Sequence, residues 1–140
     1  MSGRDLLDRV DGIVHEDTQV HEYGVDLTVA DVSAVESPGR VDFGGGELEP
    51  ADLRPLASSC RNPGDDYEWW TLTGGTYLVE YNETLTEGAP LRVQTRRELR
   101  ERGASHPSVA TTELGPMPLT VADGGVKLKA NARISTLLGR

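Results

Sequence analysis

The fold class is set by one stretch of the sequence, Trp69-Trp70-Thr71-Leu72-Thr73-Gly74-Gly75-Thr76-Tyr77-Leu78-Val79-Glu80-Tyr81. Its first four and last six residues are rich in aromatic and β-branched side chains, which favour extended strands. The Thr73-Gly74-Gly75 segment between them predicts a hairpin-like turn. The run from Thr76 to Tyr81 is the strongest strand signal in the chain.

Short strands of the same kind are predicted on both sides, separated by many of the 16 glycines and 8 prolines. Val25, Leu27 and Val29 alternate with polar residues, which predicts a strand with Asp26 on its polar face. Residues 44–66 are polar and predict a long irregular excursion. The other predicted strands cover residues 18–23, 33–36, 40–43, 91–94, 117–121, 126–128 and 132–137. With only one or two short helices, at 4–10 and 95–103, this pattern indicates an all-β sandwich or barrel.

The size and composition of the chain suit one domain over residues 1–140. No apolar run approaches the roughly 20 residues of a membrane span, and the N-terminus lacks the apolar stretch of a signal peptide. A single cysteine, Cys60, excludes an internal disulfide and a cysteine-based zinc site. We therefore expect a cytoplasmic protein without a membrane partner. The three histidines, at positions 15, 21 and 106, lack metal-ligand spacing and are predicted to be surface or turn residues.

Charge is distributed unevenly around the formal net value of -9. Residues 1–91 carry 19 acidic and 5 basic side chains, whereas residues 92–140 carry 4 acidic and 9 basic ones. The acidic part argues against binding a nucleic-acid backbone, and the basic part suits a small polyanion such as a nucleoside triphosphate. Two lysines against twelve arginines favour a halophilic source. An ordinary acidic bacterial protein is the alternative.

The basic part contains a cluster of five arginines within eleven residues. Arginine pairs two-on-two with phosphate or carboxylate oxygens. Residues 95–103 read as a short helix, with Thr95 and Glu98 as a capping box and Gly103 as its stop. Arginines beside the free N–H groups of the first helical turn predict an anion site. The cluster comprises Arg92, Arg96, Arg97, Arg100 and Arg102.

The order of these pieces resembles the dUTPase and dCTP deaminase superfamily. Gly24-Val25-Asp26-Leu27 is similar to the Gly-x-Asp-Leu segment of that family, and residues 72–80 are similar to a strand pair of its deaminase branch. Residues 95–103 resemble the phosphate-holding segment Arg-Ser-Ser-Leu-x-Arg-x-Gly. Residues 126–137 resemble the closing pair Ile-x-Leu-x-x-Gly-Met-Arg-Ile-x-Gln-Leu.

This resemblance implies a distorted jelly-roll-like β-barrel of the dUTPase type (a β-clip), assembled as a homotrimer with active sites between subunits. It also implies a deoxynucleoside triphosphate substrate and Mg²⁺. The leading prediction is an enzyme that hydrolyses dUTP to dUMP and diphosphate. By this resemblance, Arg96, with Arg100 or Arg102, would hold the phosphates, and Asp26 would support the metal-bound end indirectly, through water.

The chain also departs from the family pattern. The catalytic aspartate of the dUTPase branch falls at Ala110, and the glutamate of the deaminase branch falls at Thr120. Asp26 and Glu113 are then the remaining candidates for a catalytic carboxylate. The two serines of the phosphate segment are replaced by Arg97 and Glu98. These departures leave open a non-catalytic nucleotide-binding or regulatory relative, and also a dCTP deaminase.

Overall fold

The computed structural model describes residues 1–139 and is built mainly of β-strands. Within these residues the helices are single turns, α1 (Gly3–Leu6), α2 (Glu16–Gln19) and α3 (Arg97–Arg100), with a 3-10 turn at Leu7–Arg9. The strands are β1 (Val10–Asp11), β2 (Val20–His21), β3 (Gly24–Ser37), β4 (Asp52–Pro55), β5 (Ser59–Cys60), β6 (Glu68–Leu72), β7 (Gly75–Tyr81), β8 (Thr84–Leu85), β9 (Leu91–Thr95), β10 (Ala104–Ser105), β11 (Val109–Thr111), β12 (Met117–Val121), β13 (Val126–Lys129) and β14 (Arg133–Leu138).

The main sheet is antiparallel and has nine strands, ordered β10-β12-β7-β3-β14-β9-β11, with β2 and β4 also paired to β3. A smaller sheet, β13-β6-β5, and the pair β1-β8 complete the architecture. Strand β3 is central, because its first half pairs with β14 and its second half with β7. Its pairing register shifts between Val29 and Asp31 and between Val35 and Ser37. Such bulges increase local twist, so the sheet curls into a half-barrel, which confirms the predicted all-β fold.

The core is formed mainly by valine and leucine side chains. Val25, Leu27 and Val29 are completely buried, as the alternation of β3 predicted. The opposite face of β3 is also buried, however, and Asp26 has no exposed surface. Asp26 does lie on the polar face of β3, as predicted, and polar partners from neighbouring segments shield that face from solvent.

Several local predictions were wrong for an identifiable reason. Residues 73–75 do not make a hairpin, because β6 pairs with β13 whereas β7 pairs with β3 and β12. A Cβ on Gly74 would lie 2.7 Å from the Cα atom of Asp123, so this connection packs against another turn. The predicted strand at 40–43 is reduced to one bridge between Arg40 and Glu49. The excursion at 44–66 contains β4 and β5, and the segment 18–23 begins in α2.

The helices of the structure are shorter than the sequence predicted. The helix predicted at 4–10 is split into α1 and the 3-10 turn, and Val10 already belongs to β1. Among residues 1–139, no helix combines the length and the apolar character needed to cross a membrane.

Candidate functional site

The arginine segment is a single helical turn that follows β9. Thr95 is the last residue of β9, and Arg96 is the N-cap residue, without a side-chain capping bond. The predicted capping box was therefore wrong: the Thr95 hydroxyl donates to the carbonyl of His106 and accepts from its N–H, both at 3.0 Å. Gly103 does end the turn, with φ of 87° and its N–H donating to Arg100 O at 3.1 Å. Leu99 is buried and anchors α3 on the core.

This turn forms one wall of a solvent-open cavity of about 430 Å³. Three arginines of the cluster, Arg96, Arg97 and Arg100, line it. The cavity, called here the arginine cavity, is also lined by Tyr23, Gln94, Thr95, Glu98, Thr136 and Leu138. With three guanidinium groups and one carboxylate, its lining favours an anionic ligand.

The third predicted phosphate ligand, Arg102, has a different position. Its Nη1 donates to the backbone oxygen of Glu98 at 2.8 Å, and its side chain is not part of the cavity lining. The structure thus brings Arg96 and Arg100 together and adds Arg97, a residue at a position where the family pattern has serine. Arg102 braces the carbonyl end of the turn.

Behind the cavity wall lies the fully buried carboxylate of Asp26. Arg133 Nη1 donates to Asp26 Oδ2 at 3.0 Å, and the Thr136 hydroxyl donates to Oδ1 at 3.0 Å. Arg96 Nε lies 3.5 Å from Oδ2. The Tyr23 hydroxyl donates to the same carboxylate at 3.2 Å. A carboxylate between two arginines offsets their mutual repulsion, so Asp26 allows basic groups to be packed densely here.

Arg96 is the most firmly held arginine of the cavity. Besides Asp26, it contacts Glu98 Oε2 through Nη2 at 3.1 Å and donates from Nη1 to the carbonyl of Arg133 at 3.3 Å. Only 14% of its side chain is exposed. A guanidinium fixed in this way loses little conformational entropy when it binds an oxyanion.

His21 was missed by the sequence analysis. Its Nε2 lies 3.1 Å from Asp26 Oδ2, and its ring stacks on Tyr23 with centroids 4.8 Å apart. Partial burial and the Asp26 charge raise the pKa of Tyr23, so its hydroxyl stays protonated as a donor. His21 is 29% exposed and lies beside a turn, as predicted, but its contact with Asp26 was not predicted, because histidine spacing indicates only metal ligands.

A second overlooked group is a buried hydrogen-bond chain through His106. His106 Nδ1 lies 2.8 Å from the carbonyl of Pro107, and Nε2 lies 2.6 Å from Ser135 Oγ. Since a carbonyl only accepts, Nδ1 carries the proton, Nε2 accepts from Ser135, and Ser135 accepts from the Tyr81 hydroxyl at 2.6 Å. Burial lowers the pKa of His106 and raises that of Tyr81 to about 12, so both groups are neutral.

A third group is the buried carboxylate of Glu83, which is 1% exposed. It accepts from the Gln19 amide at 2.8 Å, from the Thr28 N–H at 2.8 Å and from the Thr28 hydroxyl at 2.6 Å. Gln19 also donates to the carbonyl of Asp26 at 2.9 Å. This network joins the N-terminal segment to β3 directly behind the Asp26 cluster. The sequence around Gln19 gave no signal that this residue belongs to a buried network with Glu83.

The other predicted catalytic candidate, Glu113, lies elsewhere. It is exposed and lines a separate cavity of about 340 Å³ with Leu114 and Pro116. Ala110 and Thr120 are exposed strand residues paired with Arg92 and Thr76, respectively. Among residues 1–139, Glu98 is the one carboxylate-bearing residue that lines the arginine cavity.

The described side chains around the arginine cavity offer no ready-made site for a metal ion. Residues 1–139 contain no cluster of three or more histidine, cysteine, aspartate or glutamate side chains that could hold one. Both oxygens of Asp26 accept from protein donors, so water-mediated support of an ion would require this network to open. The chain therefore fits Mg²⁺ only as an ion held by the oxygens of a bound phosphate and by water.

Comparison with known proteins gives consistent relatives. Two proteins named probable deoxyuridine 5'-triphosphate nucleotidohydrolase are 29% identical (Methanosarcina acetivorans) and 31% identical (Methanosarcina mazei) over 137 residues. Each alignment covers 92% of this chain and 76% of the relative. A Halobacterium salinarum protein of the same name is 33% identical over 84 residues, which cover 60% of this chain and 48% of the relative.

Comparison of structures agrees with this result. A 2'-deoxycytidine 5'-triphosphate deaminase from Agrobacterium tumefaciens superposes with a TM-score of 0.60 at 15% identity. The match covers 98% of this chain and 46% of the deaminase chain, so the chain spans less than half of that protein, and the likeness concerns the fold alone. No model of a protein family matches the sequence. The Methanosarcina relatives, matched over 76% of their length, and the shared fold place the chain in the dUTPase and dCTP deaminase superfamily.

Proposed function

We propose that this protein hydrolyses dUTP to dUMP and diphosphate in the arginine cavity. The observation that supports this most directly is the convergence of Arg96, Arg97 and Arg100 on one cavity. The segment that carries them is also the one that resembles the phosphate-holding segment of the family. The names of the relatives indicate the substrate.

Arg96 and Arg100 bind phosphate oxygens of the triphosphate, and Arg97 contributes a third positive group. In the hydrolysis, the oxygen of a water molecule forms a bond to the α-phosphorus as one O–H bond of that water breaks and its proton is released. The bond from this phosphorus to the bridging oxygen breaks, and diphosphate leaves with the electron pair. Guanidinium groups already fixed in the cavity stabilise the charge that develops on the phosphoryl oxygens. Asp26 acts in this scheme by holding Arg96 and Arg133 in place.

Mg²⁺ would be held by the phosphate oxygens of the nucleotide and by water, and it would supply further neutralisation of phosphate charge. The cationic side chains that line the cavity are Arg96, Arg97 and Arg100. A homotrimer, a cytoplasmic location and a halophilic source remain predictions from the sequence and the family. Arg102 remains a predicted phosphate ligand, although its contact with Glu98 directs it away from the cavity lining.

Purified protein in high salt with Mg²⁺ is incubated with dUTP, dCTP and dTTP, and release of diphosphate and ammonia is measured. We expect diphosphate from dUTP without ammonia. Arg100→Ala weakens binding of a non-hydrolysable dUTP analogue about tenfold or more, because a charged hydrogen bond of about 1.5–3 kcal/mol is lost. The matched control is Arg54→Ala, which removes an exposed arginine of β4. The same binding measurement on Arg102→Ala shows whether that side chain reaches the phosphates: weaker binding means that it does, and unchanged binding means that it does not.

A second candidate function is binding of a nucleotide without turnover, as in a regulatory protein. The specific observation in its favour is that Ala110 and Thr120 hold the positions of both family carboxylates and are exposed strand residues. Triphosphate binding that depends on Arg96 and Arg100, without diphosphate or ammonia release, would replace the hydrolase by this candidate. Ammonia release from dCTP would instead identify a deaminase.

A further inference from the structure

Glu98 provides the carboxylate within the arginine cavity. It belongs to α3, immediately beside Arg97, and 48% of its side chain is exposed. Glu98 Oε2 lies 3.1 Å from Arg96 Nη2, which orients the carboxylate. Asp26, the other carboxylate near these arginines, has no exposed surface and lies behind the wall. Glu98 is thus the carboxylate that water in this cavity can reach.

A carboxylate at this place is unfavourable for simple anion binding. Phosphate oxygens and Glu98 carry the same charge, and repulsion at close range weakens affinity. The lining retains Glu98 nevertheless, at a position that the family pattern gives to serine. An ionised, solvent-accessible carboxylate held by an arginine is suited to accept a hydrogen bond from a water molecule beside a bound phosphate. Its own backbone N–H and Arg96 keep the pKa of Glu98 below its ordinary value, so it is ionised at neutral pH.

We propose that Glu98 is the catalytic residue that orients the attacking water and accepts its proton, in place of the family aspartate missing at Ala110. This inference rests on the proposed dUTP hydrolysis. One O–H bond of the water breaks as its oxygen bonds to the α-phosphorus, and the proton moves to Glu98 Oε1 or Oε2. The bridging P–O bond breaks, diphosphate carries off the electron pair, and Glu98 then releases the proton to solvent.

A purely structural role for Glu98 makes a different prediction. If the carboxylate only held Arg96 in position, its neutralisation would loosen Arg96 and weaken nucleotide binding. If it handles the water, its neutralisation leaves binding intact, or tightens it by removing a negative charge beside the phosphates, and slows the chemical step. The ratio of the effects on kcat and on affinity therefore separates the two roles.

The matched control is Glu101, a carboxylate of the same segment. Glu101 Oε1 lies 3.6 Å from Arg97 Nε, its side chain is 61% exposed, and it does not line the arginine cavity. Glu101→Gln changes the net charge of the protein by the same amount as Glu98→Gln. It also breaks one arginine pair, as Glu98→Gln does. Turnover of the two variants can thus be compared directly.

The experiment measures kcat for dUTP and the Kd of a non-hydrolysable dUTP analogue for wild type, Glu98→Gln and Glu101→Gln. We expect Glu98→Gln to lower kcat by about 10²–10⁴ with Kd unchanged or lower, and Glu101→Gln to stay within about twofold of wild type. Glu98→Asp retains more activity than Glu98→Gln, since it keeps a carboxylate. Added formate restores part of the activity of Glu98→Ala by supplying a carboxylate in solution.

Each contrary result has a distinct meaning. A Glu98→Gln variant within threefold of wild-type kcat overturns the role of Glu98 and leaves the hydrolase standing. A parallel loss of affinity and turnover assigns Glu98 to positioning Arg96 and overturns the role in catalysis. A wild-type protein that binds dUTP without hydrolysing it overturns both this inference and the proposed activity. Thermal unfolding of each variant shows whether a loss comes from misfolding.

Discussion

Neutralising Asp26 is expected to destabilise the fold strongly. Asp26→Asn keeps the side-chain size and removes the charge that faces Arg133 at 3.0 Å and Arg96 at 3.5 Å. The side chains of these arginines are only 32% and 14% exposed, so water replaces the lost partner incompletely. Removal of one member of a buried ion pair costs about 3–5 kcal/mol. Because about a third of the Arg133 side chain is exposed to solvent, we expect a loss at the lower end of this range, about 3 kcal/mol. This loss corresponds to a decrease of roughly 10 °C in Tm for a chain of this size.

Urea unfolding at neutral pH, followed by the tryptophan fluorescence of Trp69 and the buried Trp70, measures this change at one fixed protein concentration. Thr136→Val is the comparison variant, since it removes a single hydrogen bond to the same carboxylate and is expected to cost about 1 kcal/mol. A loss below about 1 kcal/mol for Asp26→Asn would show that the arginines do not depend on this carboxylate. The argument that Asp26 organises the cavity would then fail.

Two other buried groups give predictions of stability. His106 has a lowered pKa when folded, so below its unfolded value of about 6.5 the unfolded chain binds a proton that the folded chain refuses. The free energy of unfolding should therefore fall as the pH drops from about 6.5 towards the folded pKa. Urea titrations from about pH 5 to pH 8 should show that His106→Gln lacks this part of the pH dependence. If the free energy of unfolding of His106→Gln changes with pH as steeply as that of wild type, the buried neutral ring is contradicted. Glu83→Ala removes the acceptor of the Thr28 N–H and hydroxyl and one of the two acceptors of the Gln19 amide, and should cost about 2–5 kcal/mol, measured by thermal unfolding. Glu83→Gln, which keeps one acceptor oxygen, should cost clearly less, and equal losses would refute the hydrogen-bond explanation.

The main strands were predictable because their pattern is local. Alternation identified Val25, Leu27 and Val29, and the aromatic and β-branched run identified the strand at 76–81. Strand pairing was not predictable in the same way, because it depends on contacts between distant segments. The turn at Gly74 illustrates this, since its tight approach to Asp123 takes the chain into another sheet instead of a hairpin.

In the candidate site, too, the features that depend on local sequence were predictable and the contacts between distant segments were not. The cluster of arginines is visible in the sequence, and the structure places Arg96 and Arg100 on one cavity. The partners that hold Arg96 come from β3, β14 and the turn itself, and nothing local marks His21 or Arg133 as neighbours of Asp26. Thr95 shows the converse error: its side chain suits a helix cap, but β9 pairing with Ser135 places it at a strand end.

The burial of Asp26 sets how freely this region tolerates change. Ala110 and Thr120 are exposed strand positions, so a carboxylate can be gained or lost there with little effect on folding. Asp26 instead neutralises Arg96 and Arg133 inside the protein, so its replacement requires compensating changes at both arginines. A descendant of this protein that had lost all turnover would therefore still be selected to keep Asp26 for its stability. The presence of this aspartate in a related sequence therefore indicates that the fold is preserved. Whether such a protein is active must be judged from the residues that face the cavity.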